Sequence, residues 1–355
     1  MPNAAQAESS RPPGAHLGPQ ALPPSELAHL PSPGPSGESR AEVWNGLRIV
    51  RTIAMLSIVS YHVTWEPLLG IAFGLTSLQI IMCALATRGT VAVPMRTFAQ
   101  RRAKRLLAPW LIWSALYALF EVTRSAAAGE PLFAWTQSSM WASGASFHLW
   151  FLPFAFVACL LVNAAHQLRS STGPGTTTGA SIAAGLAAAV AGTALLIAAD
   201  PIKSLLAPAI PFDMWVDGAP TLAFGLAIGR ALATPARARG PLLLGIALIA
   251  LVPFAIAGTS LANLTIPHSG LFERYAIAIP VICLGLLVPI PDRPWMAALA
   301  ATNLGVYLVH LFAIRILDRI PSMDILEGPA RSVVVYALCL AIVFPLRKTR
   351  VPHLT

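Results

Sequence analysis

The chain has 355 residues, 56% of them hydrophobic and only 11% charged, with a mean hydropathy of +0.67. Soluble domains carry about a quarter charged residues, so the composition excludes an ordinary soluble domain and points to an integral membrane protein. The formal net charge is +9, but the basic residues cluster between apolar runs, a pattern that sets membrane topology and does not call for nucleic acid.

Residues 1–43 are rich in Pro, Ser, Gly and Ala and have no apolar period. They read as a disordered cytoplasmic tail, without the basic-then-apolar layout of a cleavable signal peptide. From there the chain is all-α. A spanning helix needs about 20 mostly apolar residues. Such segments occur at 47–66, 68–86, 106–123, 148–165, 179–199, 214–233, 241–258, 272–290, 296–317 and 331–346. The sixth is the weakest, because Asp217 and Pro220 interrupt its start. The expected architecture is therefore a polytopic bundle of about ten transmembrane helices over 44–346, with a short basic tail at 347–355.

Charge orients the bundle. With the N-terminus in the cytoplasm, 18 of the 24 Lys and Arg residues fall on the cytoplasmic side, and ten of the 15 acids on the other. This predicts both termini in the cytoplasm and a multi-pass protein of the plasma (inner) membrane. Small residues recur at helix faces, in "GASIAAGLAAAVAG" (179–192) and in the GxxxG of Gly225 and Gly229. They let backbones approach in lipid and say nothing about chemistry. Cys83, Cys159, Cys283 and Cys339 lie within apolar runs without CxxC spacing. Buried thiols are expected there, with no disulfide framework and no metal site.

Four stretches could carry chemistry. In the first, "RTIAMLSIVSYHVTWE" (51–66), Arg51 and His62 are eleven positions apart. They differ by about 20° in direction and about 16 Å along a helix axis, so they share one face. Glu66 follows His62 by four and could sit beside the imidazole. Ionisable groups inside a membrane usually face a bundle interior or a wet cavity. The alternative is that Arg51 snorkels to the headgroups while His62 and Glu66 mark the opposite interface.

The second stretch is "QRRAKRLLAPWLIW" (100–113), where Arg102 and Arg105 share a face beside Arg101 and Lys104. Two guanidiniums so spaced could clamp phosphates, or the cluster could be a stop signal contacting anionic membrane lipids. The third, "FHLWFLPF" (147–154), holds His148 and Trp150. These could join His62 in a polar pocket or form part of an interfacial belt. The fourth, "NLGVYLVHLFAI" (303–314), places His310 in a helix, where a histidine can equally be a satisfied core residue.

In this order the four stretches resemble the acyltransferase family 3 membrane proteins, which include O-acetyltransferases of bacterial surface polysaccharides. The shared features are an Arg and a His separated by ten residues in the first helix (Arg51, His62), an RxxR (Arg102, Arg105), an "HLWFL" segment (148–152) and a "GxYLxH" (Gly305 to His310). The resemblance covers roughly residues 44–346. It implies transfer of an acyl group, most often acetyl, from cytoplasmic acyl-coenzyme A to a hydroxyl of an extracytoplasmic glycan or lipid-linked sugar. The acyl-CoA is then a co-substrate and not a tightly bound cofactor.

The resemblance makes His62 the general base or a transient acyl carrier, with Glu66, placed by spacing alone, as its orienting partner. Arg51, Arg102 and Arg105 would hold the donor, and His148, Trp150 and His310 would bind the acceptor. The separate esterase-like domain of some members is not expected. Two positions depart from the family pattern. Arg48 stands where an acid usually precedes the helix-one arginine, and "LQIIMCALA" (78–86) lacks the usual Ser-Gly. Ten helices with buried charges also suit a secondary transporter, though no internal repeat is evident. A silent relative serving as an envelope scaffold would share the same architecture.

Overall fold

A computed structural model describes residues 36–64, 73–88, 93–170, 177–206, 211–257, 270–320 and 328–348. Among these residues all regular structure is helical. The helices are α1 (Ser36–Thr64), α2 (Phe73–Ala86), α3 (Met95–Ala128), α4 (Met140–Ser143), a 3-10 turn (Phe147–Trp150), α5 (Phe151–Ser170), α6 (Thr178–Leu206), α7 (Phe212–Gly218), α8 (Pro220–Ala233), α9 (Ala236–Ala257), α10 (Leu271–Leu287), α11 (Pro294–Leu317) and α12 (Gly328–Lys348). The described residues of the ten predicted segments are mostly helical. Six helices, α3, α5, α6, α9, α11 and α12, are long and apolar enough to cross a membrane by length and composition. Helices α2, α8 and α10 are shorter, at 14, 14 and 17 residues.

The third predicted segment is the middle of a longer helix. Helix α3 runs from Met95 to Ala128, so it carries the RxxR within one continuous rod and ends on Gly129 in the left-handed conformation. The sixth segment is broken, as its Asp217 and Pro220 suggest. Pro220 has no N–H for the carbonyl of Val216, and the chain resets between α7 and α8. The carbonyls loosened by the break find side-chain donors. Tyr275 Oη donates to Asp217 O at 2.8 Å, and Thr221 Oγ1 donates to Gly218 O at 2.5 Å. Gly218 also admits the Phe154 ring, which a Cβ would meet at 2.6 Å. Buried backbone groups left unpaired cost stability, so these bonds let the helix break persist.

The apolar side chains form two cores. One joins Met55, Ile58 and Val59 of α1 to residues of α3, α5, α11 and α12. The other joins Leu47 and Val50 of α1 to α2, α6, α8, α9 and α10. Helix α2 is shared as well, with Cys83 and Ala86 in the first core and Phe73, Ile80, Ile81 and Ala84 in the second. Thus α1 and α2 are the seam between two half-bundles. Their apolar residues face both ways, so neither helix shows a one-sided pattern in sequence. The four cysteines are buried free thiols within these cores.

Small residues set the closeness of the seam. A Cβ on Gly225 or Gly229 of α8 would collide with Cys83 or Thr87 at the end of α2, and one on Gly46 of α1 would strike the backbone of Gly285 in α10. A Cβ on Gly192 of the small-residue helix α6 would meet the Phe224 ring at 2.8 Å. This is the packing expected of GxxxG-like faces. Gly225→Leu should therefore destabilise by about 1–3 kcal/mol or more through overpacking. Gly240→Ala, whose nearest neighbour is Leu287 Cδ2 at 3.9 Å, should leave stability unchanged or raised, because Ala is the better helix former. Thermal unfolding in detergent, followed by a thiol-reactive dye on the buried cysteines, distinguishes the two outcomes.

Candidate active site

Two cavities open along the seam. The smaller, about 260 Å³, is lined by Arg51, Arg102, Arg105, Asn303 and Tyr307 among apolar side chains of α1, α2 and α11. The larger, about 480 Å³, is lined by Tyr61, His62, Gln79, His148, Trp150 and again Tyr307. Asp213, Asp217, Arg274 and Arg315 add charge to its wall. One is an arginine cavity and the other a histidine cavity, and Tyr307 belongs to both.

The arginine cavity follows from helical spacing. Arg102 and Arg105 are one turn apart on α3, so both side chains reach the same space. Arg101 and Lys104 are exposed and are not part of its lining. Arg102 lies over the Phe98 ring at 5.1 Å, a cation–π contact that holds its direction. Arg51 enters from α1 and donates from Nη2 to the carbonyl of Ala300 at 3.1 Å, which ties α1 to α11. Three guanidiniums on one cavity suit a polyanionic ligand.

Arg48 does not join them. Its Nη1 donates to Asn45 Oδ1 at 2.7 Å and pairs with Asp292 at 3.1 Å. The charge reversal seen in sequence is thus answered by an acid from the segment before α11. Glu66 lies outside the described residues, so its predicted pairing with His62 stands only as an expectation.

The histidines of three of these stretches come together. His62 and His310 have ring centroids 5.0 Å apart, and His148 and His310 are 5.1 Å apart. His62 and His148 line the cavity, whereas His310 is fully buried behind them and is not part of the lining. His148 sits between two tyrosine rings, Tyr117 at 5.2 Å and Tyr307 at 5.5 Å. Its Nδ1 is 3.0 Å from Ser146 Oγ. Tyr307 Oη donates to the His148 carbonyl, and Tyr117 Oη donates to the Leu308 carbonyl at 3.0 Å. The 3-10 turn and α11 are thereby pinned to each other and to α3.

His310 Nδ1 lies 2.6 Å from the carbonyl of Tyr307. A carbonyl only accepts, so Nδ1 must carry the hydrogen and Nε2 the lone pair. That Nε2 has no hydrogen-bond partner among the described residues. Trp150 is only 5% exposed and packs on Phe154 with centroids 5.8 Å apart. It is a buried cavity wall and not a belt residue.

Several site residues were invisible to sequence reasoning. Tyr307 stands in the "GxYLxH" stretch, but its place between two cavities depends on the meeting of α5 and α11. Asn303 lies one turn before it. Gln79, only 3% exposed, reaches the histidine cavity from within the departing "LQIIMCALA" segment. Arg315 is held by Glu121 across the bundle at 2.7 Å. Asp217 is paired with Lys203 of α6 at 2.7 Å.

A family model described as an acyltransferase domain matches residues 44–348. No curated protein and no solved structure matches the chain. The matched span takes in both cavities and every described residue that lines them, and the chain belongs to acyltransferase family 3, a family of membrane acyltransferases.

Proposed function

We propose that the protein moves an acyl group, acetyl in the first instance, from acyl-coenzyme A to a hydroxyl of a glycan or lipid-linked sugar. The observation that carries this reading is the pair of cavities with a shared Tyr307 wall, arginines in one and histidines in the other. We infer ten spans in the inner membrane with both termini cytoplasmic. The ten helical segments and the distribution of Lys and Arg support this arrangement. The arginine cavity then faces the cytoplasm, where acyl-CoA is made, and the histidine cavity faces the other side, where a glycan approaches.

The donor's chemistry fits the layout. Its phosphates sit at one end, its thioester at the other, and a slender arm joins them. Arg102 and Arg105 hold phosphate oxygens, with Arg51 beside them. Arg51 and His62 lie on one face of α1, about 16 Å apart along its axis, so the arm lies along the seam with its thioester near the histidines.

His62 is the general base. It takes the proton from the acceptor hydroxyl as that oxygen attacks the thioester carbonyl. The C–S bond of the tetrahedral intermediate then breaks, and the imidazolium returns the proton to the departing thiolate. The products are an acyl ester and free coenzyme A. His148 and Trp150 line the acceptor's space. His310, buried behind His62, is a positioning residue in this scheme and not an acceptor ligand. Its Nδ1–H bond to Tyr307 fixes the ring against which His62 rests.

Two outcomes test the reading. His62→Ala should lower transfer from acetyl-CoA by about 10² to 10⁴, while a donor-induced thermal shift of the purified protein persists. Unchanged ester-linked acetate on the surface glycans of cells carrying only this variant would remove His62 from the chemistry. Arg102→Ala combined with Arg105→Ala should raise the donor KM by tenfold or more, since each charge-assisted hydrogen bond is worth roughly 1.5–3 kcal/mol. Arg101→Ala with Lys104→Ala should leave the KM near wild type. Equal effects of the two pairs, measured by initial rates against acetyl-CoA concentration, would reduce the cluster to a general basic surface.

A further inference from the structure

The arginine cavity contains a polar group that the scheme above leaves unused. Asn303 is only 3% exposed, yet it lines the cavity. Neither its Oδ1 nor its Nδ2 has a hydrogen-bond partner among the described residues. Buried polar groups are nearly always paired, and leaving one unpaired costs stability. A carboxamide with both ends open in a cavity wall is suited to a ligand that supplies a donor and an acceptor together.

Its height in the bundle narrows the choice. Arg51 is anchored at the carbonyl of Ala300, and Asn303 is about 4.5 Å further along α11. His310 is about 10 Å beyond Asn303, close to two full turns, so the two share a helix face. Asn303 therefore lies between the guanidiniums and the imidazoles. Phosphate oxygens only accept, and they would leave Oδ1 unpaired. A thioester offers no N–H. The part of an acyl-CoA that carries N–H and C=O groups is the arm between its phosphates and its thioester, which contains two secondary amides.

We propose that Asn303 recognises those amides. Nδ2–H donates to an amide carbonyl of the arm, and Oδ1 accepts from an amide N–H. The residue thereby sets how far the arm advances past Tyr307 toward His62. This assignment rests on acyl-CoA being the donor. It makes Asn303 a specificity-determining residue for the arm, distinct from the phosphate clamp and from the base.

The test uses the purified full chain in detergent, with acetyl-CoA and an acetyl-CoA analogue in which the arm amides are replaced by esters, which removes their N–H groups. Wild type should bind acetyl-CoA about tenfold more tightly than the analogue. Asn303→Leu should weaken acetyl-CoA binding about tenfold and bind the two donors alike. Its thermal midpoint without donor should equal or exceed that of wild type, because an unpaired buried amide is replaced by an apolar side chain. The isosteric Asn303→Asp, which loses the donor N–H but keeps an acceptor oxygen, should weaken binding of both donors and keep the preference for acetyl-CoA; loss of that preference would count against the acceptor role of Oδ1.

Failure of wild type to bind acetyl-CoA at all would overturn the donor reading itself. If wild type binds, three results would each overturn the assignment of Asn303 alone. They are undiminished affinity in Asn303→Leu, a preference for amide over ester retained in Asn303→Leu, and a lowered midpoint in the donor-free Asn303→Leu protein.

Discussion

A polar side chain on a membrane helix cannot be left against hydrocarbon without cost, and the placement of polar groups in this bundle answers that constraint. Arg51, His62, Gln79, Asn303 and Tyr307 all turn toward the seam between the two apolar cores. The seam exists because α1 and α2 give apolar residues to both half-bundles. Helices packed only through bulky side chains would stand apart. Gly46, Gly225 and Gly229 bring backbones close enough that the remaining gaps are cavities of definite shape. Packing and chemistry are thus one arrangement: what the small residues close, the polar residues occupy.

The two cavities differ in chemistry because different helices complete them. Helix α3 supplies paired guanidiniums to one, while the 3-10 turn supplies aromatic groups, α7 acidic groups and α10 Arg274 to the other. Tyr307 is the wall between them. Its hydroxyl is committed to the His148 carbonyl, and its own carbonyl holds His310. One residue therefore fixes the backbone at His148 and the ring of His310 while it lines both cavities. Site groups held on packed helices keep their geometry better than groups on loops. The break between α7 and α8 is the local exception, and donors from Tyr275 and Thr221 support it.

Much of this was legible in sequence. Apolar runs located the helical regions, six of whose helices are long and apolar enough to span a membrane, and the spacing of Arg51 and His62 placed them on one face before any tertiary information. The RxxR was legible for the same reason, since one helical turn separates its members. What sequence withheld was convergence. His62, His148 and His310 come from three separate elements, and no local period could show their rings about 5 Å apart. Which histidine faces the cavity was equally hidden, because α11 is apolar on every side. Asn303 and Gln79 look like ordinary polar interruptions in an apolar helix. Only burial without a partner, or a place on a cavity wall, separates them from such interruptions.

The departures from the family pattern acquire a physical reading in the same terms. Arg48, where an acid is usual, would add a fourth cation near the arginine cavity if it turned inward. It is instead held by Asn45, itself fully buried and bonded to the Ile290 carbonyl at 3.1 Å, and by Asp292. An ion pair this exposed contributes little stability. Its consequence is directional: the acid that holds Arg48 comes from the segment preceding α11, and the cavity is lined by three guanidiniums. The segment lacking Ser-Gly is likewise occupied by residues with assigned places. Leu78, Ile81, Met82 and Leu85 line the arginine cavity, Gln79 lines the histidine cavity, and Cys83 meets Gly225. Helix α2 thus approaches α8 through glycines on α8 and not through a glycine of its own. The small partner in this close contact stands on α8, and residues of this segment form walls of both cavities.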